Sequence, residues 1–152
     1  MKVAVLAVQG AFEEHEKVLQ ELGAQTIQLR QAKDLEESFD ALVLPGGEST
    51  VQGKLLRELD MYEPLRAKIA AGLPVLATCA GLILLAEHIV GDDTVHFGTL
   101  PVTVKRNAYG RQLGSFHYAE GEFVGIGTFP MEFIRAPYVE SVSDGVEVLA
   151  EV

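Results

Sequence analysis

The sequence predicts an α/β domain with a doubly wound, mostly parallel β-sheet and an antiparallel extension. Up to residue 90, short apolar runs of strand length alternate with segments that carry apolar residues at helical spacing. Such alternation is typical of parallel strands joined by right-handed helical crossovers. After residue 90, short strand-like runs are joined by glycine-containing turns without helices between them, which is typical of an antiparallel layer.

The first predicted strand, Lys2 to Val8, is apolar after its first residue, as in a strand that is covered on both faces. A helix follows and ends at Gly23, because glycine often terminates helices. The apolar positions of this helix are Phe12, Val18, Leu19 and Leu22. The other predicted parallel strands are Thr26 to Leu29, Ala41 to Leu44 and Val75 to Ala77.

The predicted extension consists of shorter strands in the last third of the chain. They are Leu100 to Lys105, Gly114 to Tyr118 and Met131 to Ile134. A further strand is expected at Val146 to Val152.

Cys79 is the only cysteine of the chain and follows the strand predicted at Val75 to Ala77. Small residues and a predicted amphipathic helix that starts near Leu82 come after it. A nucleophile on a strand-to-helix turn is exposed at the edge of a sheet, and such a tight turn requires small neighbours. Because free cysteine is also often buried, a core role for Cys79 is an equal alternative on these residues alone.

The strand predicted at Ala41 to Leu44 runs into Pro45-Gly46-Gly47-Glu48-Ser49-Thr50. Two glycines leave backbone N–H groups accessible to an anionic oxygen, as an oxyanion hole requires. Ser49 or Thr50 can cap the next helix, which carries Leu55, Leu56 and Leu59 on one face. A plain strand–turn–helix connection is the simpler interpretation of this loop taken alone. Together with Gln9-Gly10 and Cys79, however, the loop is expected to line one crevice at the carboxyl edge of the sheet.

The composition indicates a single acidic domain. The chain has 152 residues, 48% of them hydrophobic, and a formal net charge of −10, which argues against nucleic-acid and anionic-membrane partners. One cysteine cannot form an internal disulfide and no apolar run reaches the length of a membrane span, so we expect a cytoplasmic protein. No metal site is expected, because the histidines lack metal-ligand spacing. They are His15, His88, His96 and His117.

Several long motifs carry a resemblance that covers the whole chain. Leu44 to Thr50 and Thr78 to Leu82 resemble motifs of the class I glutamine amidotransferases, whose fold is flavodoxin-like. Gln9 to Ala11, Arg106 to Gln112 and Phe133 to Pro137, in this order, are similar to segments of the glutaminase subunits of pyridoxal 5′-phosphate synthase.

The resemblance implies hydrolysis of L-glutamine to glutamate and ammonia through a thioester on Cys79. The ammonia would pass to a barrel-shaped synthase subunit that makes pyridoxal 5′-phosphate (vitamin B6), and no cofactor is implied for the glutaminase itself. The implied oxyanion-hole residues are Gly46, Gly47 and Ala80. The implied glutamine contacts are Gly47, Glu48, Ser49, Arg106, Ile134 and Arg135. A carboxylate suits the substrate ammonium and guanidinium groups suit its carboxylate, although the arginines could also be solvated surface charges.

The sequence departs from the family pattern in two ways. Ala77 stands where the elbow commonly has glycine, and the family's late His-x-Glu pair does not occur in these residues. We therefore expect residues 1–152 to be one amidotransferase domain that is incomplete at its C-terminus and weak or inactive as it stands. Two alternatives remain open, namely a degenerate glutamine-binding or docking module without turnover and a different hydrolase with a cysteine at the elbow.

Overall fold

The structure is a computed structural model that describes residues 1–107 and 116–151, with the backbone alone for residues 116–118. Several sequence predictions fall outside the described residues. They concern residues 108–112 of the Arg106 to Gln112 motif, the first two residues of the strand predicted at 114–118, the side chain of His117, and Val152.

The centre of the molecule is a four-stranded parallel sheet with the strand order β2-β1-β3-β4. Its strands are β1 (Lys2–Leu6), β2 (Gln25–Leu29), β3 (Ala41–Leu44) and β4 (Val75–Ala77). The predicted fold class and all four predicted parallel strands are confirmed. β1 ends two residues earlier than predicted, where the Ala7 N–H donates a last hydrogen bond to the carbonyl oxygen of Leu29 at 2.9 Å.

Helices cover both faces of this sheet, because successive side chains of its strands point in opposite directions. On one face, Val3 and Val5 of β1 and Val43 of β3 pack against Phe12 and Leu19. The helix that carries these two residues is α1 (Phe12–Glu21). The opposite face holds the main core. Its buried residues come from the sheet and from the helices α2 (Ser49–Glu58), α3 (Tyr62–Ala70) and α4 (Ala80–Leu85).

Two details of the helices differ from the predictions and one agrees with them. Val18 and Leu22, predicted as apolar positions of the first helix, are exposed, because Phe12 and Leu19 alone reach the sheet. Gly23 follows the helix with a φ of +83°, as its predicted role requires. The N-cap of α2 is Glu48 and makes no side-chain capping bond, so the predicted capping by Ser49 or Thr50 is wrong.

The helix predicted as amphipathic from Leu82 begins at Ala80, directly after Cys79, and five of its six residues are buried. It lies between two cores, since Leu84 and Leu85 belong to the core of the parallel sheet and Ile83 to that of the extension. A helix covered on both sides shows no polar face in its sequence.

The extension consists of a three-stranded sheet and a hairpin. The sheet has the order β5-β6-β9, with β5 and β6 parallel and β6 and β9 antiparallel. The hairpin pairs β7 with β8 in antiparallel register. The strands are β5 (Ala86–Ile89), β6 (Leu100–Lys105), β7 (Phe116–Phe123), β8 (Gly127–Ile134) and β9 (Tyr138–Val142). The strands predicted at 100–105 and 131–134 are confirmed within β6 and β8.

The strand predicted at Val146 to Val152 is wrong for its described part, since residues 146–151 form no strand. One backbone hydrogen bond, from the Val124 N–H to the carbonyl oxygen of Leu149 at 3.0 Å, joins this segment to the tip of the β7–β8 hairpin. Val148 and Leu149 are exposed. The apolar pattern predicted a strand, but the segment meets a turn instead of a strand edge, so no ladder forms.

No helix in the described ranges is long and apolar enough to cross a membrane.

Candidate active site

A cavity of about 360 Å³ opens where the carboxyl ends of β1, β3 and β4 meet the extension. It brings together Cys79 and every residue for which the sequence implied a glutamine contact. These are Gly47, Glu48, Ser49, Arg106, Ile134 and Arg135. The parallel sheet supplies the first three through the loop between β3 and α2, and the extension supplies the others from the ends of β6 and β8.

Cys79 lies on the turn between β4 and α4 with φ 48° and ψ −104°, a conformation that non-glycine residues rarely adopt. Hydrogen bonds hold the turn, from the Thr78 N–H to the carbonyl oxygen of Leu44 at 3.1 Å and from the Gly81 N–H to that of Thr78 at 2.8 Å. A Cβ on Gly81 would lie 2.2 Å from the Leu44 oxygen. The thiol is half-buried at the cavity wall, as in a strand-to-helix nucleophile turn.

The loop with Gly46 and Gly47 runs beside this cysteine. A Cβ on Gly46 would lie 3.5 Å from the Cβ of Cys79. The carbonyl oxygen of Gly46 accepts a hydrogen bond from the Ala11 N–H at 3.0 Å. Because a trans peptide directs its C=O and N–H to opposite sides, this bond also fixes the direction of the Gly47 N–H.

Two backbone donors near Cys79 are open. Within the described residues, neither the Gly47 N–H nor the Ala80 N–H has a hydrogen-bond acceptor. The hydroxyl oxygen of Ser49 is also unpartnered in the described part of the chain, and it is buried in the wall of the cavity. Polar groups that are buried without a partner in a native fold are typical of sites that bind a ligand.

Arg106 follows β6 and reaches across to the first turn of α2. Its Nη1 lies 3.5 Å from a carboxylate oxygen of Asp92, and its Nη2 donates to the hydroxyl oxygen of Thr50 at 3.5 Å. Arg135 follows β8 with a φ of 45°, and Asn107 has a φ of 50°. Arg106, Asn107 and Arg135 all line the cavity.

The match to known proteins decides the family. The profile of the SNO glutamine amidotransferase family matches residues 5–152. The chain belongs to the SNO glutamine amidotransferase family.

Similar proteins agree with this membership. A pyridoxal 5′-phosphate synthase subunit PdxT from Desulfitobacterium hafniense (strain Y51) is 68% identical over 152 residues, which are 100% of this chain and 76% of that protein. A subunit of the same name from Streptococcus pneumoniae (strain ATCC 700669 / Spain 23F-1) is 54% identical over 155 residues, with 100% of this chain and 80% of that protein covered. A crystal structure of a glutamine amidotransferase superimposes with a TM-score of 0.90 at 43% identity and covers 99% of this chain and 79% of that one.

Two histidines lie next to the site of this amidotransferase. His15 on α1 is 3.1 Å from the hydroxyl oxygen of Thr78, and burial lowers its pKa against a smaller opposing effect of Glu14. His96 is buried beneath α2, where burial lowers its pKa and the charges of Arg57 and Arg106 add to the shift. Both side chains are therefore mainly neutral at pH 7. In the described ranges, no group of three or more potential ligand side chains could hold a metal ion.

Sequence reasoning missed several residues around the cavity of this SNO family member. Gln9 was recognised only as part of a motif, yet its Oε1 accepts a hydrogen bond from the Glu48 N–H at 2.9 Å. Ile83, Asn107 and Pro137 line the cavity without having been singled out. The signal for Asn107 and Pro137 was their place inside matched motifs, whereas Ile83 looked like any core residue of α4.

Proposed function

We propose that the protein hydrolyses L-glutamine to glutamate and ammonia and delivers the ammonia to a synthase subunit that makes pyridoxal 5′-phosphate. Residues 1–152 belong to one amidotransferase domain in this proposal. The observation that carries this proposal is that one cavity is lined both by Cys79, on its strained turn, and by all six implied glutamine contacts. The relatives named as subunits of pyridoxal 5′-phosphate synthase support the destination of the ammonia.

The reaction begins when the sulfur of Cys79 attacks the side-chain amide carbon of glutamine. A C–S bond forms, and the carbonyl electron pair moves to oxygen, where the Gly47 and Ala80 N–H groups donate hydrogen bonds to it. One such donor typically contributes about 2.7–4 kcal/mol to the stability of the transition state. The tetrahedral carbon then expels its nitrogen as ammonia once that nitrogen has gained a proton, and a thioester remains. Water attacks the thioester carbon, and glutamate leaves with the thiol restored.

The proton transfers need a general acid and base. The family resemblance assigns them to a His-x-Glu pair, a sequence that residues 1–152 do not contain. The proposal therefore assigns to these residues the nucleophile, the oxyanion donors and the substrate contacts.

Recognition of the amino-acid end of glutamine follows from the charges of the cavity wall. The Arg106 and Arg135 guanidinium groups suit the α-carboxylate, and the Glu48 carboxylate suits the α-ammonium group. The buried hydroxyl of Ser49 offers a neutral polar contact, and Ile134 lines the same cavity. The proposed chemistry requires no organic cofactor or metal.

A synthase subunit is the expected protein partner, and the two chains would form a hetero-oligomer. A cytoplasmic location belongs to the same proposal, because a reducing compartment keeps a single cysteine as the free thiol that this reaction needs.

The proposal is tested by alkylation of Cys79, which is unambiguous because the chain has no other cysteine. The protein is treated with iodoacetamide in the presence of L-glutamine, D-glutamine or no ligand, and the labelled fraction is followed by mass spectrometry. We expect L-glutamine to slow labelling at least tenfold and D-glutamine to have little effect. Release of glutamate is then measured with the synthase subunit present, with Cys79→Ser as the inactive control.

The two alternatives give different outcomes in the same experiment. Protection by L-glutamine without release of glutamate in the complex, from a chain that carries the His-x-Glu pair, would favour a degenerate binding module. Labelling that L-glutamine does not slow would overturn glutamine recognition and favour a different hydrolase that uses Cys79.

A further inference from the structure

Gln52 of α2 is a fully buried polar side chain that hydrogen-bonds to both loops beside Cys79. Its Nε2 donates to the backbone carbonyl oxygen of Gln9 at 3.0 Å and to that of Pro45 at 3.3 Å. Gln9 lies in the loop after β1, and Pro45 directly precedes Gly46 and Gly47. One amide group thus connects two loops that are 43 and 7 residues away from it in sequence.

The amide is also tightly packed against the glycines of these loops. A Cβ on Gly47 would lie 3.0 Å from the Gln52 Nε2, and a Cβ on Gly10 would lie 3.2 Å from it. Any side chain at Gly47 or Gly10 would therefore crowd the Gln52 amide, so that both loops can approach this amide only because these residues are glycines.

The loop that carries Gly47 has three polar attachments. The Pro45 carbonyl is held by Gln52, the Gly46 carbonyl by the Ala11 N–H, and the Glu48 N–H by the Oε1 of Gln9. Gln52 contributes to two of them, because it also binds the backbone of Gln9. The peptide between Gly46 and Gly47 lies between these attachments, and its N–H is the donor that must point at the developing oxyanion.

We propose that Gln52 is a positioning residue for the oxyanion hole. This role rests on the proposed function, because Gln52 would fix the direction of the Gly47 N–H for the tetrahedral state of glutamine hydrolysis. Because the oxygen carries its full charge only after attack, a displaced donor weakens binding of the tetrahedral state much more than binding of glutamine. A displacement of about 1 Å can cost on the order of a hundredfold in rate.

The test compares a ground-state ligand with an analogue of the tetrahedral state. L-glutamate γ-semialdehyde adds to the Cys79 thiol, so that a C–S bond forms, the aldehyde double bond opens, and its oxygen takes the thiol proton. That oxygen then occupies the oxyanion position. Dissociation constants of L-glutamine and of the aldehyde are measured for the wild type and for Gln52→Met, which has a similar length but cannot donate a hydrogen bond.

We expect Gln52→Met to bind L-glutamine as the wild type does, within about twofold, and to bind the aldehyde at least tenfold more weakly. Gln20→Met is the matched control, because Gln20 is an exposed glutamine that binds Thr26 on the far side of the parallel sheet. Gln52→Asn keeps an amide but is one methylene shorter and cannot reach both carbonyls. It is expected to show the same split if Gln52→Met fails to fold.

Equal loss for both ligands, or unchanged affinity for both, would overturn the positioning role of Gln52. A wild-type protein that binds neither ligand would instead contradict the proposed function, so the two failures are distinguishable. Thermal melting of each variant shows whether a change in affinity reflects a loss of folding.

Discussion

Residues with unusual backbone conformations are concentrated at the cavity. Among the described residues, four other than glycine have a positive φ, and three of them, Cys79, Asn107 and Arg135, line the cavity. Each such conformation costs on the order of 1–3 kcal/mol and persists only where surrounding contacts hold it. For Cys79 the hydrogen bonds of Thr78 and Gly81 supply those contacts. Two of these three residues, Cys79 and Arg135, are ones that the proposed function uses.

Asp92 is a further residue whose role can be tested, because it is the ion-pair partner of Arg106. Hydrogen bonds from Thr94 hold the pKa of the Asp92 carboxyl below its usual value, and Arg106 adds a smaller effect. Asp92 is therefore ionised at neutral pH and can orient the guanidinium group. Since the pair is partly exposed, we expect Asp92→Asn to weaken L-glutamine binding by roughly two- to fivefold, measured by titration calorimetry.

Asp93→Asn is the matched control for this prediction, because it removes the same charge from the adjacent, exposed residue. Tighter binding by Asp92→Asn would show that Asp92 competes with the substrate carboxylate for Arg106 and does not orient it.

At the scale of elements, the contact between α4 and β3 determines where Cys79 lies. Gly81 lets the helix approach the end of β3 so closely that any side chain would touch the Leu44 backbone. The same approach aligns the Thr78 N–H with the Leu44 carbonyl, which is the hydrogen bond that starts the turn. A short helix covered on both sides has little freedom to shift and relieve a clash.

We expect Gly81→Ala to lower the free energy of unfolding by about 1–3 kcal/mol or more, because its Cβ would lie 2.2 Å from the Leu44 oxygen. The measurement is urea unfolding, followed by circular dichroism. Gly145→Ala is the control, since a Cβ there meets nothing within 4 Å and only its φ of +89° opposes the substitution. A Gly81→Ala protein no less stable than the control would show that α4 can move away from β3.

At the scale of the whole molecule, the cavity exists because two sheets meet there. The parallel sheet provides the nucleophile and the glycine loop, and the extension provides the two arginines that face them. α4 packs against both cores and connects the two sheets. Any change that separates the sheets is therefore expected to separate the proposed nucleophile from the proposed substrate contacts.

The stability of the whole fold should fall as the pH drops below about 6.5. Burial holds the pKa values of His15 and His96 below their ordinary value of 6.5, so the folded state binds fewer protons than the unfolded chain. The contribution of these two histidines to the free energy of unfolding is therefore fully present above pH 6.5. It is lost as the pH falls toward their lowered pKa values in the folded state. The lowered pKa values of Asp34 and Asp92 add a further loss as the pH falls below 3.8.

Urea unfolding between pH 5 and 8 measures this dependence. His96→Gln should unfold more easily at every pH but with a smaller slope between pH 7 and 5, and His88→Gln, at an exposed position, is the matched control. An unchanged slope in His96→Gln would contradict the contribution of His96.

The errors of sequence prediction have physical causes in particular elements. Helix α3 was not predicted, although Met61, Leu65 and Ile69 follow helical spacing and Pro64 stands in the first turn, where a helix tolerates proline. The strands β5 and β9 were missed because they lie at the two edges of their sheet and have polar residues among the apolar ones, so that no continuous apolar run marks them. The mainly apolar segment 146–151 predicted a strand, but within the described residues it pairs with no other strand.

By itself, the sequence determined the parallel sheet and the local turns at Cys79 and Gly46-Gly47. Buried strands, helix ends and tight turns are written in residues that are close together along the chain, so their patterns can be recognised without a structure. Only the tertiary structure decided that Arg106 reaches Thr50, 56 residues away, and that Gln52 binds Gln9, 43 residues away. Those contacts depend on how the sheets and helices pack against one another, which no local pattern records.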